Sequence, residues 1–407
     1  MALVPNQREG AMTGFDRMSL ALQHKAPDRP PYDQSTRSSA IEIEAYQSLK
    51  EYLGMKGPSA CFLRAHAQIE RSVHNIMGID TEGIRYMDES QYVHTEQGDT
   101  FYDAWSVPWH RTQGSHYYEL AGNPLKTFSY DQILSMDWAP LVSDRCIAEL
   151  KHQVDYQKNH YHDALFCDQI GAGIFERAWY LRGFEQFLVD LMIEQKEVHA
   201  FLEKITNHQM EGYARIIDAV GDAIFGVLIT DDLATQDSLI CSKELYREMI
   251  KPYQRKLIEY LRGRGMHVVF HSCGAVEPLI GDLLEIGVEI LHPIQRSARG
   301  MDPHELKQKY GKDLVLWGGG CDTDFLQKAS MWEIVEDVKR SVDQLGADGG
   351  FVFTTTHCIQ PGTPPENILA MAGAIKGERQ RGGHEIDWVW EQMEEQNVSF
   401  DRWDRDE

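Results

Sequence analysis

The sequence predicts an α/β fold, a (β/α)8 TIM-type barrel with an N-terminal elaboration and a short C-terminal tail. Three observations carry this. From about residue 145 short apolar runs alternate with long amphipathic stretches, which is the βα repetition of a parallel sheet. Seven or eight such units in about 370 residues suit a closed barrel better than an open sheet. The apolar runs also end in polar, ligand-type residues, where a barrel of this kind gathers its chemistry.

Taken in order, residues 1–14 lack periodicity and read as a flexible arm. Phe15–His24 reads as a helix with Phe15, Met18, Leu20, Ala21 and Leu22 apolar; Ala26-Pro-Asp-Arg-Pro-Pro31 stops it, because proline removes donors and restricts its predecessor. Pro31–Gln34 is a candidate first strand, residues 40–53 are helical up to Gly54, and residues 62–77 are helical again. Gly83–Met87 is the filler for the remaining strand. Residues 83–127, rich in aromatics, Gly, Asp and Thr, hold a hairpin or irregular excursion, an insertion around 83–130. The regular strands follow at Ala164–Ile170, Ala223–Thr230, His267–His271, Glu289–Ile294, Leu314–Gly318 and Phe351–Thr355. Between them fall helices at Glu176–Glu194, Lys196–Ala219, Ser242–Arg264, Ala275–Ile286, Pro303–Tyr310 and Ser330–Leu345, with a last one from near Pro364. The barrel thus spans 15–375. The charged tail, 376–407, carries Trp388, Trp390 and Trp403 and reads as a docked terminal helix with a frayed end; capping of the barrel, or contact with another subunit in a homo-oligomer, is the alternative.

Composition excludes several classes. Of 407 residues 42% are hydrophobic and 25% charged, as in a globular enzyme. The formal charge of −23 argues against nucleic acid and against an anionic membrane surface. No run of about 18 apolar residues exists, and the first residues lack the apolar core of a secretion signal. Seven scattered cysteines read as reduced thiols in a cytoplasm. No phosphate-binding loop, dinucleotide fingerprint or nucleophile elbow occurs.

The strand ends hold the candidate chemistry. His271 and Cys273 stand at i and i+2, so they share a face. Imidazole and thiolate together suit Zn²⁺ better than a hard cation. Cys358, on the last strand end, is the chosen third ligand, with Cys321 and His357 as rivals. Three protein ligands and one open position form a catalytic rather than a structural zinc site. Asp231, Asp232 and Asp168 are the candidates for acid-base work, with a capping role weighed for the aspartate pair. His267 is expected to be a hydrogen-bonded core histidine, Trp179, Tyr180 and Trp317 packing residues, and Arg177, Arg182 and Arg296 either salt-bridged or anion-binding.

Several segments together resemble the uroporphyrinogen decarboxylase superfamily, in particular its corrinoid-dependent methyltransferase branch. They are Ala26-Pro-Asp-Arg-Pro, Phe175-Glu-Arg-Ala-Trp-Tyr-Leu-Arg-Gly183, Asp231-Asp-Leu, Phe270-His-Ser-Cys-Gly, His292-Pro-Ile-Gln, Trp317-Gly-Gly-Gly and Ile359-Gln-Pro-Gly-Thr-Pro-Pro-Glu-Asn-Ile368, and they span roughly residues 15–375. The resemblance implies the same barrel, with zinc on an H-x-C pair and a later cysteine, which map to His271, Cys273 and Cys358. It implies methyl transfer between a small substrate (a methyl ether, another methylated compound or a thiol) and a corrinoid (cobalamin) cofactor carried by a partner protein. The rival expectation is a metal-free decarboxylase with Asp168 or Asp231 as proton donor. Against it, the arginine-rich R-Q-A-G-R-Y segment of the decarboxylases is replaced here by Tyr32-Asp-Gln-Ser-Thr-Arg-Ser-Ser39, leaving Arg37 alone. A non-catalytic corrinoid-binding barrel is the third reading.

Overall fold

Alternation along short strands sorts the side chains into two layers, and a curled parallel sheet follows from it. The computed structural model describes residues 12–377 apart from 63–64, 86–90, 96–97, 114, 116–117 and 169. Its parallel strands are Thr81–Ile84, Ala164–Cys167, Gly226–Thr230, His267–His271, Ile290–His292, Val315–Trp317 and Phe351–Val352, each paired with the next in chain order. The two edges meet through the segment around Tyr32, which bridges Phe353 in parallel. Phe353 N donates to Pro31 O at 2.8 Å, and Asp33 N to Phe353 O at 2.9 Å. On the other side Asp80 N donates to Tyr32 O at 2.8 Å. The strand expected at Pro31–Gln34 therefore closes the barrel, and Thr81–Ile84 fills the place expected of Gly83–Met87.

Inside the barrel lie Ala164, Phe166, Leu228, Val269, Ile290, Val315, Trp317 and Val352. Met18 and Ala21, from the helix Gly14–Leu22, complete this lumen cluster and plug the end opposite the strand C-termini. The alternate residues, among them Leu165, Val227, Val268, Phe270, Leu291 and Leu316, belong to the larger core under the outer helices. The excursion after Thr81–Ile84 is a four-stranded antiparallel meander, Gln91–Thr95, Gly98–Tyr102, Pro108–Thr112 and Glu119–Leu120. It is fastened beside the barrel mouth by a buried ion pair, Arg177 Nη1 to Asp103 Oδ2 at 2.9 Å.

Several elements differ from the sequence expectation. Residues 62–77 are not one helix: Cys61–Phe62 pairs antiparallel with His66–Ala67, and only Arg71–Met77 is helical. Ala67 N donates to Ile41 O at 2.8 Å, so pairing with the 41–43 segment overrides local helix preference. The helix expected over Glu176–Glu194 breaks at Gly183, whose φ of +95° suits glycine, into Ile174–Arg182 and Phe184–Ile193. Ser242–Arg264 contains a wide turn at Tyr246–Ile250 just ahead of Pro252, which has no N–H to offer the preceding turn. The helices Tyr130–Ser135 and Asp144–His160 were not anticipated. His267 is not a core residue: it begins its strand with the side chain 39% exposed and Nδ1 2.7 Å from Glu289 Oε1. The 1–14 arm, up to residue 11, and the tail beyond 377 fall outside the described residues, as do Met87 and Gln169. Among the described residues no helix is long and apolar enough to cross a membrane.

Asp33 ties the closure together. Its Oδ1 accepts from Ser35 N and Thr36 N at 3.1 Å each and from Thr81 Oγ1 at 2.6 Å. Its Oδ2 accepts from Thr36 Oγ1 at 2.6 Å and Trp317 Nε1 at 3.1 Å. Replacing it strands several buried donors at once, so Asp33→Ala is expected to lower stability by about 3 kcal/mol or more. Urea unfolding of the two proteins measures this, and a loss below about 1 kcal/mol would contradict the assigned role.

Candidate metal centre

The central strand delivers His271 at its end on the inward face, and Cys273 follows two residues later. Gly274 then turns the chain with φ +87°; a Cβ there would lie 2.5 Å from Thr235 O. Neighbouring strand ends are laced to this one. Asp231 N donates to His271 O, and Ser272 N to His292 O, both at 2.8 Å. Ser272 Oγ accepts from Leu233 N at 3.0 Å, and Asp232 Oδ1 accepts from Cys273 N at 2.7 Å.

This lacing gathers one ligand atom each from Asp232, His271 and Cys273, all within 4.8 Å of one another. Cys273 Sγ is 3.4 Å from His271 Nε2, which is 3.9 Å from Asp232 Oδ1. Ligand atoms around a tetrahedral zinc stand about 3.3–3.8 Å apart, so small adjustments suffice. The charges point the same way. Burial pushes the Cys273 thiol well up, and Asp232 and Glu176 add to it. A cation is what lets this thiol and these carboxylates ionise together.

The far side of the His271 ring is engaged. Its Nδ1 lies 2.7 Å from His292 Nδ1, and His292 Nε2 lies 3.1 Å from Ser39 Oγ. Burial drives both rings toward the neutral form, His292 down to about 3. A contact of that length requires a hydrogen on one of the two Nδ1 atoms. If His271 Nε2 presents its lone pair to a metal, its Nδ1–H donates to His292, whose Nε2–H then donates to Ser39.

Beside Cys273 stand two carboxyls, Asp232 and Glu176. Burial raises Glu176 to about 7, with the neighbouring Asp232 charge the next cause. Burial raises Asp232 to about 6. Tyr180 OH donates to Glu176 Oε1 at 2.7 Å. One proton shared at this pair is the expected state near neutral pH. Glu176 was not picked out by sequence reasoning, although it lies inside the quoted Phe175-Glu-Arg segment.

Asp231 is a cap rather than an accessible acid. Its Oδ2 accepts from Ile174 N at 3.0 Å and Phe175 N at 3.1 Å, its Oδ1 from Glu176 N at 2.8 Å, and Gln254 Nε2 adds a bond of 2.6 Å to Oδ2. It therefore holds the N-terminus of Ile174–Arg182 from another strand. Gly173 permits the approach, since a Cβ there would sit 2.6 Å from the Asp231 side chain. Asp168 ends the Ala164–Cys167 strand, accepts from Arg37 N at 3.2 Å, lies 3.6 Å from Arg85 Nε, and is raised by burial to about 6.

Cys358 groups with Glu42 and His66, and its charge also bears on the Cys273 thiol. Its rivals fare differently: Cys321 is fully buried and belongs to no metal-type cluster among the described residues, while the exposed His357 has its ring 6.3 Å from that of His271. The three arginines weighed as anion binders are engaged internally: Arg177 with Asp103, Arg182 with Asp190 and Arg296 with Asp337. Trp317 lines the lumen.

The model of the uroporphyrinogen decarboxylase (URO-D) family matches residues 170–377, half of the chain, from the Asp231-capped helix to the last helix. The chain belongs to the uroporphyrinogen decarboxylase family. It is 23% identical over 194 residues to a uroporphyrinogen decarboxylase of Anaeromyxobacter sp. (strain Fw109-5), covering 48% of this chain and 52% of that one. It is 27% identical over 198 residues to the enzyme of the same name from Geotalea daltonii, covering 46% and 50%. The chain thus spans about half the length of the curated relatives it matches. Among solved structures, a methyltransferase from Methanosarcina mazei shares the fold, with a TM-score of 0.58 at 16% identity over 90% of this chain and 99% of that one.

The raised carboxyl of Glu176 gives a pH test. Its ordinary value is 4.5 and its folded value about 7, so the folded chain keeps a proton the unfolded chain releases. Its contribution to stability is complete below the ordinary value and lost as pH rises through about 7. Glu176→Gln removes that slope. The melting temperature of the variant should therefore gain on wild type as pH rises across this window, measured by thermal unfolding. A difference independent of pH would count against a protonated Glu176.

Proposed function

We propose that this protein is a zinc-dependent methyltransferase that moves a methyl group between a small substrate and a corrinoid held by a partner protein. The observation that carries the reading is the convergence of His271 Nε2, Cys273 Sγ and Asp232 Oδ1 at metal-ligand spacing on the barrel mouth. These are the residues that would hold zinc. Asp232 joins the pair in this arrangement, and Cys358, which the family resemblance gives as the third ligand, also bears on Cys273. Zinc bound there would lower the pKa of a thiol or polarise an ether oxygen. The corrinoid would supply or accept the methyl group.

The chain's own part is positioning and proton handling. His292 and Ser39 fix the ring of His271. The Glu176 carboxyl, coupled to Asp232, takes the proton of a thiol acceptor or returns one to a departing alkoxide. Tyr180 holds Glu176 in place. The corrinoid-bearing partner docks over the mouth, where the strand ends and the meander meet. All seven cysteines are free thiols, which supports a reducing, cytoplasmic setting.

A second reading has support of its own. Asp168, raised to about 6 beside Arg85 and the Arg37 amide, could act as the proton donor of a metal-free decarboxylase. Against it, Arg37 is the one arginine left in the segment that clamps substrate carboxylates in the decarboxylases.

The test is demethylation of methylcobalamin by a thiol acceptor, using the zinc-loaded protein. Turnover should vanish on chelation and in Cys273→Ala and His271→Ala. Undiminished decarboxylation of uroporphyrinogen by Cys273→Ala would instead establish the second reading. Zinc competition with a chelating dye should show that His292→Ala binds metal about 10- to 100-fold more weakly, as loss of an outer partner of a ligating histidine does. Unchanged affinity would remove His292 from that role.

A further inference from the structure

Beside the loop that follows the Ala164–Cys167 strand, two buried donors meet without an acceptor. Arg177 commits one corner of its guanidinium to the fold: Nη1 donates to Asp103 Oδ2 at 2.9 Å. Its Nε is buried and has no hydrogen-bond partner among the described residues, and the same holds for Trp105 Nε1. Both side chains are more than nine-tenths buried, with Arg177 2% and Trp105 8% exposed. They meet at Gly171. A Cβ there would lie 2.7 Å from Arg177 Nη2 and 3.1 Å from Trp105 Nε1. Gly171, at φ +104°, is itself half-buried and gives the way in.

The plain reading is an ion pair that fastens the meander, with a tryptophan packed on it. It accounts for Nη1 and for the rings: the guanidinium carbon lies 5.0 Å from the centre of the Trp105 ring and 5.4 Å from that of Tyr180. It leaves out the other edge of the guanidinium. Along that edge Nε–H and one Nη2–H run parallel, the fork that takes both oxygens of a carboxylate. Trp105 Nε1 adds a third N–H, and an indole nitrogen only donates. A buried donor without an acceptor costs about 1–3 kcal/mol, so two at one place point to an acceptor from outside the chain. Asp103 and Trp105 lie between two strands of the meander, outside the residues that the family model matches. The place adjoins the mouth. Gly173, two residues on, packs against Asp231, and Arg177 follows Glu176 in one helix, where its charge works against the rise of the Glu176 carboxyl.

We propose that Arg177 and Trp105 form a carboxylate subsite at the rim of the mouth, with the Nε–Nη2 edge of Arg177 taking both oxygens and Trp105 Nε1 donating to one of them. Arg177 keeps Asp103 on Nη1, so no ion pair is exchanged. Under the proposed function the ligand is the small substrate, which then belongs to the carboxylate-bearing members of its class. That last step rests on the methyl-transfer reading; the subsite does not.

The probe is para-fluorobenzoate, with para-fluorobenzyl alcohol as its uncharged control, each titrated into the full-length protein and followed by fluorine NMR. Wild type should bind the acid saturably, and about 10-fold or more tightly than the alcohol. Trp105→Phe keeps a ring and loses the N–H, while Arg177→Lys keeps a charge for Asp103 and loses the fork. Each should weaken the acid about 10-fold at an unchanged circular dichroism spectrum, as loss of a hydrogen bond to a charged group does, and leave the alcohol unaffected. Cys273→Ala should bind the acid as wild type does, which keeps a failure of this subsite distinct from a failure of the proposed metal chemistry. Three results would overturn the inference. They are no saturable binding of the acid, equal binding of acid and alcohol, and binding that is lost with Arg37→Ala or Cys273→Ala but kept in Trp105→Phe and Arg177→Lys.

Discussion

One buried carboxyl group, that of Asp231, organises the mouth of this barrel. Asp231 accepts from three consecutive backbone N–H groups at the start of Ile174–Arg182 and from Gln254. Those N–H groups are the ones a helix leaves unpaired, and their partial positive charge suits a carboxylate. The bond joins the Gly226–Thr230 strand to a helix from another βα unit. Glu176 is thereby set next to Asp232, and Arg177 toward Asp103 on the meander. Without it the acid pair, the wall of the mouth and the approach to Cys273 would lose their common anchor.

How much of this could be read in the sequence depended on how local each rule is. Lumen-facing residues repeat with period two, so the strands were legible down to the Tyr32 segment that closes the barrel. His271 and Cys273 were legible for the same reason, since alternation alone puts them on one face. The choice between Asp231 and Asp232 was not. Adjacent residues face opposite ways, and which one meets a helix N-terminus depends on packing 55 residues away along the chain. The surroundings of Cys358 were hidden more deeply. His66 reaches it from a segment whose composition suggests helix, and whose actual partners are the 41–43 backbone and the last strand end.

The charges follow a consistent arrangement. Arginines that looked available for anions are matched to aspartates of the fold: Arg177 to Asp103, Arg182 to Asp190 and Arg296 to Asp337. Breaking such buried pairs leaves an uncompensated charge, which makes them poor candidates for exchange with a substrate. The mouth around Cys273 has the opposite character. Asp232 and Glu176 face a half-buried thiol, and all three are held toward their neutral forms. A site of this kind gains most from a ligand that brings positive charge.

The helix Gly14–Leu22 has a consequence for traffic. Met18 and Ala21, both fully buried, close the lumen from below, and the layers from Trp317 down to them are packed. The barrel is therefore a cup rather than a tube, with one rim for arrivals and departures. Under the proposed function, a small molecule seated at that rim beneath a docked macromolecule would have to arrive first and leave last. Order of assembly would then be a property of shape, imposed by a helix on the opposite side of the barrel from the candidate site.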